Sequence, residues 1–234
     1  MSDCTPDEFL AILCAREVGA HDRVGVGVSS PIATAGAMLA GRLHAPHARY
    51  SVPGMGESYF RGSHEVSGFA QSGKMDLFFL SAVQIDAQAN INLQYIGDAD
   101  HPKKRFLGAF AAPVYYYVMG RTVLVRNQHT PRVFVPRVDF VTAAGPDTPG
   151  HRRIGWPSRV ITSLAVLSFN RDTGLLELES HHPGVSVADV LEATGFDLPV
   201  AASVQETPAA TAEEIGLMTG PIRERMKQLF HAWG

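Results

Sequence analysis

The sequence predicts an α/β fold: an open, mainly parallel sheet flanked by helices, with antiparallel hairpin additions. Three observations predict it. Helical and strand patterns alternate over residues 6–43. Leu77-Phe78-Phe79-Leu80 is an unbroken apolar run between Asp76 and Ser81, the pattern of a strand buried on both faces. From residue 84 onward, short apolar runs come in pairs joined by turn residues, which reads as hairpins.

The elements follow in order. Thr5-Pro6-Asp7-Glu8 starts a helix, with Thr5 as cap, Pro6 at the first helical position and Glu8 completing a capping box. Phe9, Leu10, Leu13 and Val18 share one face, so residues 6–18 read as an amphipathic helix with Cys14 beside its core side. Residues 23–28 form a β-rich run, and Ser30-Pro31 resets the chain into a helix over 31–43, with Ser30 as its cap. Residues 44–76 are glycine-rich and irregular, with a short strand at 49–52. Strand 77–80 is followed by a hairpin of 84–86 and 90–93, a basic loop at 101–105, and strands at 122–126 and 132–135. Val160–Phe169 and Leu175–Glu179 pair across Asn170-Arg171-Asp172-Thr173-Gly174. Ser186 caps a helix over 187–194 that Gly195 closes. Residues 201–212 are Ala/Thr/Pro-rich and read as loose, and 221–233 as a last helix with mixed charge.

Composition narrows the class. With 234 residues, 45% of them hydrophobic, the chain can bury a large core and is too apolar for disorder. A net charge of −3 and a pI near 6.3 give no bulk attraction to nucleic acid. No apolar run reaches the roughly 20 residues that span a bilayer. The N-terminal octet is acidic and polar, the reverse of a signal peptide, and Cys4 and Cys14 make no disulfide framework. A cytoplasmic setting is expected.

Candidate motifs are few. Gly68–Lys74 has P-loop spacing as far as the lysine, but Met75 stands where Ser or Thr would reach Mg²⁺, and no strand precedes it. Gly25-Val26-Gly27 opens like a dinucleotide fingerprint, yet Ser30 replaces the third glycine. Its strand-to-helix turn still suits an anion. His101-Pro102-Lys103-Lys104-Arg105 is either a solvated loop or a clamp for ligand phosphates. No metal set is expected among the ten histidines and two cysteines, and no Gly-x-Ser-x-Gly elbow occurs. Tyr115-Tyr116-Tyr117 offers a ring-stacking platform, but an aromatic cluster beside a core strand reads first as packing.

The order of segments resembles the beta subunit of the class I coenzyme A transferase family over roughly residues 20–200. The resemblance rests on Met75–Asp86 continuing to Asn90-Ile91-Asn92, on Arg159–Leu167, and on Pro183-Gly184-Val185 with Ala193-Thr194-Gly195-Phe196. It implies a CoA-transferase-like single domain over 1–200, and the remainder, 201–234, is an extension whose terminal helix packs on it. It also implies an alpha-subunit partner, an alpha2-beta2 heterotetramer and an acyl-CoA at the interface, with no cofactor beyond that substrate. The family's transferases carry a glutamate nucleophile here, but Val52 or Arg49 falls at its position according to the alignment chosen, and neither is a carboxylate. Glu57 lies past the glycines. The family's oxyanion loop resembles Gly108-Ala109-Phe110-Ala111-Ala112, and Ala89 replaces a turn glycine.

Without the glutamate, the chain is most similar to one branch: the beta subunit of a hydrolase that opens the last steroid ring in bacterial cholesterol breakdown. That likeness implies ring hydrolysis by water, with the main base on the alpha chain. Expected groups facing the substrate are Glu57, Arg126 and His129. The expected substrate walls are Ser51, Val52, Gly54 and Gly56, with Gly108, Ala109 and Phe110. Lys103, Lys104 and Arg105 are expected at the CoA phosphates. Two alternatives stand beside this reading: a 3-oxoacid CoA transferase using a relocated carboxylate such as Glu57, and a silent structural partner.

Overall fold

Residue patterning builds one mixed sheet around which the helices divide. The structure, a computed structural model, describes residues 4–52, 60–146, 153–231 and 233. The first helix, α1 (Pro6–Arg16), has the expected capping box: Thr5 Oγ1 accepts from the Glu8 N–H, and Glu8 accepts from the Thr5 N–H. Next come β1 (Arg23–Val26), α2 (Pro31–Leu43), β2 (Arg49–Ser51), α3 (Ser63–Gln71) and β3 (Leu77–Leu80). Two small ladders follow, β4 (Gln84–Ile85) with β5 (Ile91–Asn92) and β6 (Tyr95–Gly97) with β7 (Pro102–Arg105). The chain continues through α4 (Ala112–Val118), β8 (Arg121–Arg126), β9 (Trp156–Thr162), β10 (Ala165–Asn170) and β11 (Leu175–His181). It ends with α5 (Val187–Glu192), β12 (Val200–Glu206), α6 (Ala212–Leu217) and α7 (Arg223–Leu229).

The main sheet has eight strands in the order β12-β11-β10-β9-β8-β3-β1-β2. Only its β9–β10 and β10–β11 pairings are antiparallel. This is the α/β architecture expected from the sequence. Alternation along the central strands sorts the core: Leu77 and Phe79 join a cluster with α1, α2 and the C-terminal helices, whereas Phe78 and Leu80 join one with α4 and the β4–β5 hairpin. The chain leaves β1 toward β2 and leaves β3 toward β8, so the direction of winding reverses between β1 and β3. Open sheets of this kind bind ligands at that crevice, beyond the carboxyl ends of the strands.

Several local expectations are corrected. Ser30 makes no side-chain cap on α2; its hydroxyl donates to Val28 O. Residues 63–71, expected to be irregular, form α3. Lys103–Arg105 lie in a strand of a hairpin, not in a loop. Residues 132–135 are not a strand: flanked by Pro131 and Pro136, they turn, leaving an isolated bridge from Phe134 to Ile85. Val160–Phe169 spans two strands that turn at Ser163-Leu164. Gly195 closes α5 by close approach, because a Cβ there would strike Phe134 O. The residues expected to be loose, 201–212, include most of β12, which pairs with β11, so the boundary at residue 200 falls on the first residue of a sheet strand. The last helix is shorter than expected, because Gly220-Pro221 breaks it into a π turn over Met218–Ile222 and then α7.

Candidate active site

A cavity of about 430 Å³ opens at the predicted crevice. Gly25–Ser30 from the β1–α2 turn, and Ser51 with Val52 at the end of β2, form one side. Phe78, Leu80 and Ser81 form the floor, with Tyr115 and Met119 of the α4 region behind. Phe60, Arg61 and Val66 wall the α3 side, and Gly108, Ala109 and Phe110 close the mouth. A Cβ on Gly25 would come within 3.3 Å of the Phe78 ring and 3.4 Å of Met119, so glycine keeps the floor open.

A smaller lobe of about 180 Å³ adjoins it and shares Ser29, Ser30, Leu80 and Ser81. Arg126, at the end of β8, and Asn127 line this lobe together with Asp7 from the first turn of α1. The Arg126 Nη2 donates to Gln128 Oε1 at 3.1 Å, and its Nε is buried without a hydrogen-bond partner. Burial holds its pKa below the usual guanidinium value.

Backbone strain gathers here. Among the described non-glycine residues, Ser29 (φ 55°), Phe110 (φ 45°) and Ala89 (φ 56°) have positive φ. The first two sit on the cavity wall. Such a backbone costs about 1 kcal/mol for a residue with a Cβ, and it collects at functional sites. Gly108 (φ 93°) supplies the same geometry without that cost. Ala89 keeps the positive φ of the turn where the family resemblance implies a glycine.

The tyrosine triplet divides by depth. The buried Tyr116 donates its hydroxyl to Ala89 O at 2.8 Å, as packing predicts. Tyr115 lines the cavity, meets Phe78 edge-on and shares a 2.8 Å hydrogen bond with Ser67 Oγ. Around the mouth, Val28, Leu107, Phe110 and Val114 expose apolar side chains, Leu107 and Phe110 most fully at 110% and 79%. Exposed large apolar side chains beside a cavity often mark an interaction surface.

The structure therefore gathers Ser51, Val52, Gly108, Ala109 and Phe110 around one cavity and puts Arg126 in the adjoining lobe. Gly54, Gly56 and Glu57 lie outside the described residues. Lys103, Lys104 and Arg105 stand exposed on β7, from which the chain runs on into the Gly108–Phe110 mouth. Lys104 Nζ lies over the Phe106 ring, and the Arg105 guanidinium lies over Tyr95 while its Nη2 donates to Ala99 O.

His129 is corrected as a substrate-facing group. It is buried away from the cavity, and its nitrogens meet Thr162 Oγ1 at 2.8 Å and Thr194 Oγ1 at 2.9 Å. Its ring stacks on Phe134 at 4.1 Å. Burial, with the neighbouring His182 adding to it, pushes its pKa down to about 4, so it is a neutral core bridge.

Sequence reasoning missed Phe60, Arg61, Tyr115 and Met119. Their only sequence signal was proximity to the glycine-rich stretch and to the Tyr triplet. Among the described residues, no group of three or more His, Cys, Asp or Glu is arranged to hold a metal. Among the described residues no helix is long and apolar enough to cross a membrane.

Comparison with known proteins places this architecture. The chain is 30% identical over 234 residues, 86% of each chain, to a glutaconate CoA-transferase subunit from Acidaminococcus fermentans. It is 30% identical over 149 residues to the cholesterol ring-cleaving hydrolase IpdB subunit of Rhodococcus jostii, covering 59% of this chain and 56% of that one. The structure of Rhodococcus jostii RHA1 IpdAB matches with a TM-score of 0.82 at 25% identity, over 97% of this chain and 99% of the other. The family model described as coenzyme A transferase matches residues 15–193, most of the strands and helices around the cavity. The chain belongs to the coenzyme A transferase family.

Proposed function

We propose that this chain is the beta subunit of a cytoplasmic heteromeric hydrolase that opens a steroid-derived carbon ring carried as a CoA thioester. The observation that carries the reading is the chemistry of the cavity wall. If the serines are aligned with the family's transferases, their glutamate position falls on the buried Val52, beside Ser51 at the end of β2; if the glycines are aligned, it falls on Arg49; neither is a carboxylate. Among the described lining residues of the larger lobe none is Asp or Glu. A wall of Val52, Phe60, Phe78, Leu80 and Met119 suits an apolar ring better than a covalent carboxylate–CoA exchange.

The reaction fits such a wall. A base on the partner alpha subunit takes a proton from water, and the hydroxide oxygen adds to the ring ketone. The bond between that carbonyl carbon and the carbon next to the thioester then breaks. Its electron pair is held as a thioester enolate until a proton is returned to carbon. In this reading the backbone N–H groups of Gly108–Phe110, on the cavity wall, hold that oxyanion. No covalent bond between enzyme and CoA is required, and no cofactor enters. Lys103, Lys104 and Arg105 serve the CoA phosphates, and the apolar rim at Leu107 and Phe110 receives the alpha subunit, in an alpha2-beta2 assembly.

The likeness to a glutaconate CoA-transferase subunit favours a second reading, a 3-oxoacid CoA transferase that uses Glu57. The test is to co-express the chain with its alpha partner and offer a ring-bearing CoA thioester with an acceptor acid. Hydrolysis yields an opened product that gains one water and keeps its CoA. Movement of CoA to the acceptor, with a trappable glutamyl–CoA adduct, overturns the hydrolase reading.

A further inference from the structure

We propose that Tyr115 is a positioning residue: its hydrogen bond to Ser67 latches helix α3 in place as a wall of the main cavity, and so favours ring-bearing acyl groups over linear ones. The inference rests on the hydrolase reading for the ring and goes beyond it in assigning what sets the width of the pocket.

The argument starts from unequal anchorage of the two helices beside the cavity. Helix α4 is fastened to several parts of the chain. The Tyr116 hydroxyl donates to Ala89 O at 2.8 Å, and Arg153 Nη2 donates to Tyr116 O at 3.0 Å. Tyr117 O accepts from the N–H groups of Ile154 and Gly155, at 3.0 and 2.7 Å. Helix α3 has little of this. No side chain caps its start, and Val66 and Ala70 are its buried residues. The backbone bonds at its end, Gly73 N–H to Ala70 O and Lys74 N–H to Phe69 O, stay within the helix and its own exit. The Phe69 ring meets Phe60, which is itself part of the same wall. Among the described residues, one side-chain hydrogen bond joins α3 to another element: Ser67 Oγ with the Tyr115 hydroxyl, at 2.8 Å.

That bond sits where it controls the wall. Val66, next to Ser67 in the chain, lines the cavity with Phe60 and Arg61, whereas Ser67 itself does not. The Tyr115 ring also lines the cavity and is held edge-on to Phe78, 5.4 Å away, so the ring is fixed while its hydroxyl is engaged by the wall helix. A wall left free to swing must be ordered when a ligand packs on it, and that ordering weakens binding. A latch orders the wall beforehand, so a ligand that packs on α3 gains affinity and one that does not gains little. Both hydroxyls bond to water when the latch opens, so one neutral hydrogen bond is weak enough to release the wall as a ring enters.

The test uses the alpha–beta complex with Tyr115→Phe, Ser67→Ala and Ser67→Thr, the last of which keeps a hydroxyl. Amide hydrogen exchange without ligand is expected to quicken about three- to tenfold over residues 63–71 in the first two variants, the range for one lost neutral hydrogen bond. It should return toward the native rate in Ser67→Thr. The dissociation constant of a ring-bearing CoA thioester should rise by the same factor, and that of a linear short-chain acyl-CoA by less. Joining Tyr115→Phe to Ser67→Ala should add nothing to either change alone, because both remove one bond. Native exchange rates in the two variants, equal weakening of both thioesters, or additive effects in the double variant overturn the latch. A native complex that does not bind the ring-bearing thioester refutes the hydrolase reading and the selectivity with it, while the exchange rates still decide the latch.

Discussion

The junction between α1 and the C-terminal helices and the cavity at the strand ends treat polar groups in opposite ways. At the junction, the fully buried Glu8 receives Arg223 through Nε at 2.6 Å and Nη2 at 2.7 Å. Arg16 meets Glu214 through Nε at 2.8 Å and Nη2 at 2.7 Å, and also reaches Pro208 O and Ala209 O. Both glutamates are the third residue of a capping box, so each closes a helix start and fastens another helix. At the cavity, by contrast, Ser29 and Phe110 hold strained backbone, Leu107 and Phe110 are left exposed, and the buried Arg126 Nε has no hydrogen-bond partner among the described residues. The difference teaches where stability was accumulated and where it was given up. Satisfied groups hold the scaffold, and unsatisfied ones mark the surface that waits for ligand and partner.

The largest expected effect comes from breaking the satisfied side. Glu8→Ala removes a buried carboxylate, strands Arg223 and opens the capping box, and should cost about 3 kcal/mol in urea unfolding. Burial alone would raise the Glu8 carboxyl, but Arg223 and the Thr5 N–H hold it below its ordinary value. Its contribution is therefore present above the unfolded carboxyl pKa and lost as pH falls beneath it.

His129 probes the same interior by pH alone. Its pKa falls from 6.5 in the unfolded chain to about 4 in the fold, so the unfolded state binds more protons. Stability is expected to be full above pH 6.5 and to decline by about 3 kcal/mol down to pH 4. A His129→Gln variant should flatten that part of the stability–pH curve. A curve as steep in the variant as in the native chain would remove His129 as the cause.

Next in size is the α1–α2 contact, where a Cβ on Gly36 would lie 2.6 Å from Ala11 O and from Cys14 Cβ. Gly36→Val should cost about 1–3 kcal/mol, the usual range for overpacking. The cavity side should behave in the opposite sense. Ser29→Gly relieves a positive φ and should raise stability by up to about 1 kcal/mol while lowering turnover. Smallest of all, Phe110→Ala should leave the isolated chain within about 0.5 kcal/mol of the native stability, as exposed positions do. It should nonetheless weaken assembly with the alpha subunit, read by analytical ultracentrifugation.

The same contrast explains what the sequence made legible. Local chemistry was readable: the Thr5–Glu8 capping box, Ser186 as a helix cap, Pro31 at a helix start and the buried run Leu77–Leu80 all reappear. Elements made by their neighbours were not. Helix α3 has no side-chain cap and buries only Val66 and Ala70, so its pattern is faint, and it is held by packing such as Phe60 against Phe69. Strand β12 turns most of its side chains outward and exists through backbone pairing to β11, which no side-chain pattern reports. Val133 and Val135 alternate like a strand, yet prolines on both sides and the approach of Gly195 to Phe134 impose a turn. For the site, the expected walls came from the family resemblance and not from local pattern; Ser51, Val52, Gly108, Ala109 and Phe110 line the cavity. His129 misled because a histidine after a strand end looks the same in sequence whether it faces ligand or bridges two buried threonines.

The central claim is that this chain helps water, and not a carboxylate of its own, to attack a ring-bearing CoA thioester. Turnover by the alpha–beta complex in heavy-oxygen water tests it directly. The account predicts one heavy oxygen in the new carboxylate of the ring-opened product, with the CoA thioester intact. A product that carries no label, with CoA transferred to an added acid, would contradict it.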